Sequence, residues 1–250
     1  DVSDLKNYNL SNTYFTNENE LWSLRLDKNI KLITGEAGMG KSELMKSLKN
    51  KSPPEYWTVI INPDDVNLFF HNSDFSKPAD YPNLFKKFIT NEKYRYLDKL
   101  ERMVFEKCVK ENNVIYVWDA LDEIVTEHLE VVSEIIFNLS KKQVSQWVTS
   151  RCHLQTYLEN KFSLLSLSIN QFSEQEQQNY IRKRLTNFDI SADKIDFTFE
   201  KIKSSFAVVK NVNILGIPLQ IFMLTELFRQ NNEKYFKLTE NTLLLTDLYE

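Results

Sequence analysis

The most informative stretch of this sequence is Gly35-Glu36-Ala37-Gly38-Met39-Gly40-Lys41-Ser42. The chain has four glycines in 250 residues, whereas about 17 would be expected at the usual frequency of ~7%. Three of the four, Gly35, Gly38 and Gly40, lie within this stretch. Because glycine adopts backbone angles that other residues avoid, we expect a tight turn here, or a close approach of the backbone to a bound group.

The residues on either side of this stretch predict a strand before it and a helix after it. Residues 29–34 (NIKLIT) are rich in β-favouring side chains, and residues 42–50 have apolar side chains at helical spacing. Backbone N–H groups in such a loop, together with the positive end of the helix, bind phosphate. Lys41 adds a positive charge, and the Ser42 hydroxyl can ligate a Mg²⁺ ion that bridges the phosphates. The predicted phosphate-binding residues are Gly35, Glu36, Ala37, Gly38, Met39, Gly40, Lys41 and Ser42.

Strand-like and helix-like segments alternate through the first two thirds of the chain. Further strands are predicted at 57–61, 114–118, 146–149 and 164–169, and helices at 83–90, 95–111 and 127–139. This alternation predicts an α/β fold with a parallel sheet covered by helices on both faces. The helix at 95–111 would present Leu97, Leu100, Val104 and Cys108 on one face. Residues 67–82, which contain two prolines, are predicted to form a loop.

The pattern changes after Phe172. Ser173 and Glu176 form a predicted capping box that opens a helix to Leu185, and no strong strand signal follows. We therefore divide the chain near residue 171 into an α/β domain and a small all-α domain.

An acidic segment follows the apolar strand predicted at 114–118. Asp119 comes directly after this strand, where a carboxylate can hold Mg²⁺ through its waters. Asp122 and Glu123 follow three and four residues later. Glu123 is our choice for the general base or water-positioning group, and Asp122 is the alternative. A solvated acidic turn after a buried strand is the non-functional interpretation of the same residues.

Arg151 follows the strand predicted at 146–149. The carboxyl ends of parallel strands meet at one edge of a sheet, so Arg151 is predicted to lie on the same edge as the phosphates. There it can contact the γ-phosphate, although an arginine after a strand is often only solvated or salt-bridged.

Taken together, these motifs resemble the NACHT family of STAND NTPases, which are signalling ATPases of innate immunity and programmed cell death. The resemblance rests on the spacing of the glycine-rich loop, of Asp119-Ala120-Leu121-Asp122-Glu123 and of Thr149-Ser150-Arg151. Ala120 replaces the glycine usual in the family, and Cys152 replaces a common proline. Gly216-Ile217-Pro218-Leu219 is similar to the Gly-x-Pro segment of the family, which implies that Pro218 packs against adenine.

The resemblance implies a five-stranded parallel sheet and a nucleotide switch. It divides the chain into a lead-in segment (1–24), a P-loop nucleotide-binding domain (25–171), a helical domain closing over the nucleotide (172–238) and the start of a winged-helix domain (239–250). ATP, ADP and Mg²⁺ would be the ligands, with slow hydrolysis separating a closed ADP state from an open, oligomerising ATP state. Effector and sensor regions would lie outside this chain, which by itself is expected to be monomeric.

Two alternatives remain open, a remodelling ATPase of the AAA+ type and a small-molecule P-loop kinase. The first requires an arginine finger and a second sensor arginine, for which Arg182, Arg184 and Arg229 are available. The second usually carries an arginine-bearing lid, and the sequence shows no such segment. A switch should also turn over far more slowly than the ~1–100 s⁻¹ of kinases.

Composition limits the partners and the compartment. A net charge of −4 gives no basic excess for nucleic acid, and no apolar run approaches the ~20 residues of a membrane span. The two cysteines are far apart and have no metal-ligand spacing, so we expect both to be reduced thiols. Reduced thiols predict a cytoplasmic protein. The sequence begins without Met and ends within a helical pattern, so we expect a piece of a longer protein.

Overall fold

A computed structural model describes residues 29–72, 81–93, 96–186 and 214–230, together with 193, 195–197, 199, 200 and 203. The predicted lead-in segment and winged-helix start lie outside these residues. Contacts between Cα atoms divide the chain into two compact units. The first contains described residues 29–36 and 41–169, and the second contains residues 37–40 and the described residues from 170 onward.

The first unit is built on a five-stranded parallel sheet, which confirms the predicted fold class. Its strands are β1 (Ile30–Thr34), β2 (Trp57–Ile61), β3 (Val114–Trp118), β4 (Ser145–Ser150) and β5 (Leu167–Ser168). Their order across the sheet is β2-β3-β4-β1-β5, and every neighbouring pair is parallel. β1 and β3 therefore lie on either side of β4, and all three end at the same edge.

Side chains of β3 alternate between two apolar cores because successive residues of a strand point to opposite faces. Val114, Tyr116 and Trp118 belong to a large core, in which Phe85 packs edge-to-face on Tyr116 with 5.1 Å between ring centroids. Ile115 and Val117 belong to the other core, with further residues from β1, β4 and the helix after β1. All five residues of β3 are buried, as expected for a strand covered on both faces.

Helices follow or precede each strand of the first unit. They are α1 (Lys41–Asn50), α2 (Pro63–His71), α3 (Tyr81–Phe88), α4 (Lys99–Lys110), α5 (Thr126–Lys141) and α6 (Gln155–Phe162). A π-helical segment, Ile89–Lys93, continues α3, and short 3₁₀ turns lie at Leu121–Glu123 and Cys152–Leu154. Among the described helices, none is long and apolar enough to cross a membrane.

The prediction of a loop over 67–82 is wrong at both ends. α2 extends to His71, because Pro63 and two aspartates favour its first turn and Val66, Phe69 and Phe70 form a buried apolar face. α3 begins at Tyr81, so its proline lies in the first turn, where the missing N–H costs nothing.

Two further predictions need correction. α4 begins at Lys99, so Leu97 precedes the helix. Leu97 and Cys108 pack against the large core, as does the buried Phe105, whereas Leu100 and Val104 are 68% and 43% exposed. The strand predicted over 164–169 is confined to Leu167–Ser168, which pair with the end of β1. Strands β2 and β3 have the predicted bounds.

The second unit is helical. It contains α7 (Glu174–Thr186), a 3₁₀ turn at Ile214–Gly216 and α8 (Pro218–Gln230), with further helical residues between 193 and 203. The predicted capping box is present, since the Ser173 backbone N–H donates to Glu176 Oε2 at 2.7 Å. The apolar core of this unit consists of Ile181, Leu185, Ile195, Phe199, Leu215, Ile221 and Leu224.

Candidate nucleotide-binding site

The glycine-rich loop connects β1 to α1 and contains two left-handed residues. Gly38 and Gly40 have φ angles of 78° and 85°, which only glycine adopts at little cost. A Cβ atom at Gly40 would meet nothing within 4 Å, so the backbone angle alone favours glycine there. At Gly38 space is also limited, because a Cβ would lie 3.1 Å from the side chains of Ile217 and Leu219. The Leu219 N–H also donates to the Gly38 carbonyl at 3.1 Å within the second unit.

Lys41, at the first turn of α1, bonds back to its own loop. Its Nζ donates to the carbonyls of Gly35 at 2.7 Å and Glu36 at 2.9 Å. Burial lowers the pKa of the Lys41 ammonium, whereas the nearby Asp122 carboxylate raises it and Arg151 lowers it further. The structure thus brings Lys41 close to both the acidic segment and Arg151.

The remaining predicted loop residues differ in exposure. Gly35 is buried, and its N–H donates to the carbonyl of Ser150 in β4. Met39 is buried at 4% exposure, whereas Glu36, Ala37 and Ser42 are exposed. The Ser42 hydroxyl is therefore accessible to a ligand.

Asp119 lies at the end of β3 and is oriented by a residue that the sequence reasoning did not assign. Thr149 Oγ1, fully buried in β4, donates to Asp119 Oδ1 at 2.7 Å and accepts the Ala120 N–H at 2.8 Å. Among the described residues, no hydrogen bond reaches the second carboxylate oxygen, Oδ2. The sequence signal that could have identified Thr149 was its position near the end of β4, the strand that pairs with β3.

Ala120 has a left-handed conformation, with φ 49° and ψ 53°. The glycine usual at this position in the resembled family would adopt it without a Cβ penalty. Ala120 therefore carries a Cβ atom at a position where the backbone conformation favours glycine.

Arg151 lies directly after β4 and bonds to both remaining acids. Its Nε is 3.0 Å from Asp122 Oδ2, and its Nη2 is 3.0 Å from Glu123 Oε1. Its backbone N–H also donates to Asp122 Oδ1 at 2.9 Å. The Asp122 side chain is 2% exposed, whereas those of Glu123 and Arg151 are 53% and 45% exposed.

Pro218 is the first residue of α8, a position where proline commonly begins a helix. It is partly exposed, and Leu219 beside it is 47% exposed. Its contact with adenine stays a prediction.

The available donors suit Mg²⁺ better than a metal held only by protein. The described residues contain no group of three or more His, Cys, Asp or Glu side chains that could hold a metal. Mg²⁺ usually keeps several waters and takes one or two protein oxygens plus phosphate oxygens. The exposed Ser42 hydroxyl fits that requirement, as does Asp119 Oδ2, which accepts no hydrogen bond from the described residues.

Solved structures of similar fold include a Walker-type ATPase and DNA replication initiators. The Walker-type ATPase PABY2304 of Pyrococcus abyssi matches with a TM-score of 0.55 and 13% identity, over 89% of this chain and 69% of its own. A DNA replication initiation factor matches with a TM-score of 0.52 and 16% identity, over 94% and 68%. The replication initiator DnaA bound to AMPPCP and single-stranded DNA gives 0.50 and 16%, over 89% and 62%. A comparison with curated proteins found no match.

The parallel sheet and the glycine-rich loop between β1 and α1 give this chain the fold of P-loop NTPases. The family model of the NACHT domain matches residues 29–187, more than half of the sequence. This chain belongs to the NACHT domain family, which confirms the resemblance inferred from its motifs.

Proposed function

We propose that this chain is an ATP- and ADP-binding regulatory switch with slow ATP hydrolysis. The observation that carries the proposal is the loop between β1 and α1, with two left-handed glycines and Lys41 at the helix start. ADP would maintain a closed state, and ATP an open state that forms homo-oligomers and signals through regions outside this chain.

Lys41 has one donor left for a phosphate. An ammonium group carries three N–H donors, and the carbonyls of Gly35 and Glu36 take two of them. The third N–H, together with the loop N–H groups and the start of α1, would bind the β- and γ-phosphates.

The test is calorimetry with Mg·ATP and Mg·ADP. Lys41→Ala should abolish most of the affinity for both, because it removes a charged donor at the phosphates. Lys49→Ala is the matched control, since Lys49 is an exposed lysine in the last turn of the same helix. Equal affinity of the Lys41 variant and the parent would refute the phosphate site.

Hydrolysis would require Mg²⁺ and a base. Ser42 and, through water, Asp119 would hold Mg²⁺, which supplies charge stabilisation on the phosphates when bound. We assign the base to Glu123 rather than Asp122, because the Glu123 carboxylate is exposed and the Asp122 carboxylate is buried under Arg151. Glu123→Gln should therefore slow hydrolysis. An unchanged rate would make Asp122 the better base.

We expect adenine rather than guanine to be bound. The sequence contains no Asn-Lys-x-Asp motif, and the DnaA structure was solved with AMPPCP, an adenine nucleotide analogue. We propose that Pro218 contacts the adenine. Pro218→Ala should weaken ATP and ADP binding equally while leaving α8 intact, because alanine is also well tolerated in a first turn.

The remodelling alternative is less well supported by the second unit. Arg184 is engaged by Glu226, with its Nε and Nη2 at 2.8 and 2.6 Å from Oε1, and Arg182 pairs with Asp196 at 2.7 Å. Two of the three arginines available as a second sensor thus have carboxylate partners already. Fast multiple turnover would favour this alternative over a switch.

A further inference from the structure

A cavity of about 290 Å³ lies in the first unit, between the last turns of α3, α4 and α5 and the start of β3. Because the strands are parallel, the start of β3 is at the opposite edge of the sheet from the glycine-rich loop. We propose that this cavity binds a small aliphatic carboxylate, such as a medium-chain fatty acid. The inference goes beyond the nucleotide-binding function and does not depend on it.

The interior of the cavity is apolar. It is lined by buried side chains that are each at most 8% exposed: Phe85, Ile89, Val114, Tyr116, Ile135 and Val144. Small-molecule sites usually have volumes of about 300–1,000 Å³ and an apolar lining with a few polar groups. A volume near the lower end of that range suits an aliphatic chain of moderate length, whereas a helix or loop of another protein would not fit.

The polar side chains at the mouth of the cavity are positive or neutral. Lys86 and Lys142 line the cavity and are exposed, as are Thr90 and Asn112. No Asp or Glu is among the described residues that line it. A lysine ammonium offers three N–H donors and no acceptor, and its bonds to a carboxylate are charge-assisted. A ligand with an apolar chain and one terminal carboxylate therefore matches both the interior and the mouth.

The wall of the cavity includes an irregular helical segment. Ile89 and Thr90, which line the cavity, begin the π-helical segment that continues α3. Asn112, on another side of the mouth, has a left-handed φ of 57°. π-Helical turns and left-handed non-glycine residues are uncommon, and both occur preferentially at functional sites. Their position at this cavity supports a role in binding.

The helix dipole offers a second explanation for the lysines, which the experiment must separate from ligand binding. Basic side chains are favoured at the C-terminal end of any helix. This preference accounts equally for Lys86 and Lys87 at the end of α3, and for Lys141 and Lys142 at the end of α5. Of these four exposed lysines, Lys86 and Lys142 line the cavity and their neighbours do not. Each pair therefore contains its own control.

The first experiment measures the binding of octanoate to the 250-residue chain by equilibrium dialysis. We expect one octanoate per chain. Lys86→Gln and Lys142→Gln should each lower the affinity about two- to fivefold, as expected for an exposed pair of opposite charges, and the double variant should lose the product of the two. Absence of binding to the parent chain would overturn the proposal.

The control is the double variant Lys87→Gln and Lys141→Gln, which removes the same two charges and should keep the parental affinity for octanoate. Equal losses in the two double variants would mean that octanoate responds only to overall charge, and would overturn the proposal. The uncharged 1-octanol should bind the parent and the Lys86, Lys142 double variant equally. A loss of octanol binding in that variant would show that the lysines do not act through a carboxylate, and would also overturn it.

A second pair of variants tests whether the aliphatic chain occupies the cavity. Val109 lines the cavity and is 41% exposed, so Val109→Trp can fill the mouth without disturbing the buried core and should lower octanoate affinity at least tenfold. Val104→Trp is the matched control, because Val104 is 43% exposed on the same helix and does not line the cavity. Parental affinity in Val109→Trp would place octanoate elsewhere and overturn the proposal.

Chain length gives an independent measurement that needs no variant. From hexanoate to octanoate, the affinity for the parent chain should rise about threefold to fourfold for each added CH₂ group, as expected when each is fully buried. In Val109→Trp this dependence should disappear, whereas Val104→Trp should retain it. An affinity that does not change with chain length in the parent would contradict burial of the chain and overturn the proposal.

Discussion

Ala120 is the residue at which the backbone and the sequence disagree most clearly. It has a left-handed conformation between Asp119 and the 3₁₀ turn that carries Asp122 and Glu123. The sequence shows the alanine but not its φ angle, so the strain at this position was not predictable from the sequence. Its N–H bond to Thr149 and the bond from Thr149 to Asp119 maintain this geometry.

Ala120→Gly should stabilise the protein. Relief of the left-handed Cβ penalty, about 1–2 kcal/mol, exceeds the entropic cost of glycine, about 0.5–1 kcal/mol. We expect the free energy of unfolding in urea to rise by about 0.5–1 kcal/mol. Ala37→Gly is the control, because Ala37 is not among the residues with positive φ and should show no gain. A loss of stability in Ala120→Gly would contradict the strain.

Thr149→Val should separate metal binding from phosphate binding. It removes the hydroxyl that orients Asp119, and loss of such a supporting bond commonly costs about 10–100-fold in metal affinity. Nucleotide affinity measured by calorimetry should fall in the presence of Mg²⁺ and remain parental in EDTA. Thr149→Ser, which keeps the hydroxyl, should behave like the parent; equal losses with and without Mg²⁺ would point to misfolding instead.

The secondary-structure elements show which local signals the sequence carries and which it hides. The positions of β2, β3 and α7 could be predicted from the sequence, because apolar runs mark the two strands and a capping box marks the start of the helix. The start of α4 was misplaced, since Asp98 forms a capping box with Glu101 that the predicted helix over 95–111 ran through. The pairing of Arg151 with both acids was not predictable, because it depends on contacts between residues 28 and 29 positions apart.

Asp98→Ala should destabilise α4 by about 1 kcal/mol, because the Asp98 side chain accepts from the Glu101 N–H at 2.8 Å. Thermal unfolding would show this as a fall of about 2–4 °C for a protein of this size. Glu101→Gln is the control, since glutamine also completes a capping box. Equal effects of the two substitutions would indicate lost charge rather than a lost cap.

At the level of the whole molecule, the sequence correctly predicted which motifs meet at one edge of the sheet. A parallel sheet brings the ends of β1, β3 and β4 to one edge, so residues far apart in sequence meet by topology alone. That is why the loop, Asp119 and Arg151 could be grouped beforehand. The Thr149 hydrogen bonds and the burial of Asp122 depend on side-chain packing, which no local pattern encodes.

We predict that this 250-residue chain is a monomer that hydrolyses ATP very slowly and retains ADP through purification. Among the residues that the structure describes, Lys41 and Arg151 would stabilise the charge that develops on the transferred phosphoryl group, together with Mg²⁺. In Ras-type enzymes, a further arginine supplied from outside is worth about 10³–10⁵ in rate. Single-turnover kinetics with labelled ATP would measure the rate of hydrolysis, and light scattering would measure the oligomeric state. Rapid turnover by a monomer would contradict the switch.

Trp118 gives this protein an intrinsic optical reporter. Its indole N–H donates to Gln146 Oε1 at 3.0 Å, and Gln146 in turn donates to the Ile136 carbonyl at 2.9 Å. The ring is 2% exposed and lies one residue before Asp119, at the end of β3. Any shift of that strand end on binding Mg²⁺ would alter the dipoles around the excited indole. Changes in tryptophan emission should therefore follow occupancy of the site in unlabelled protein, and Trp118→Phe would identify their source.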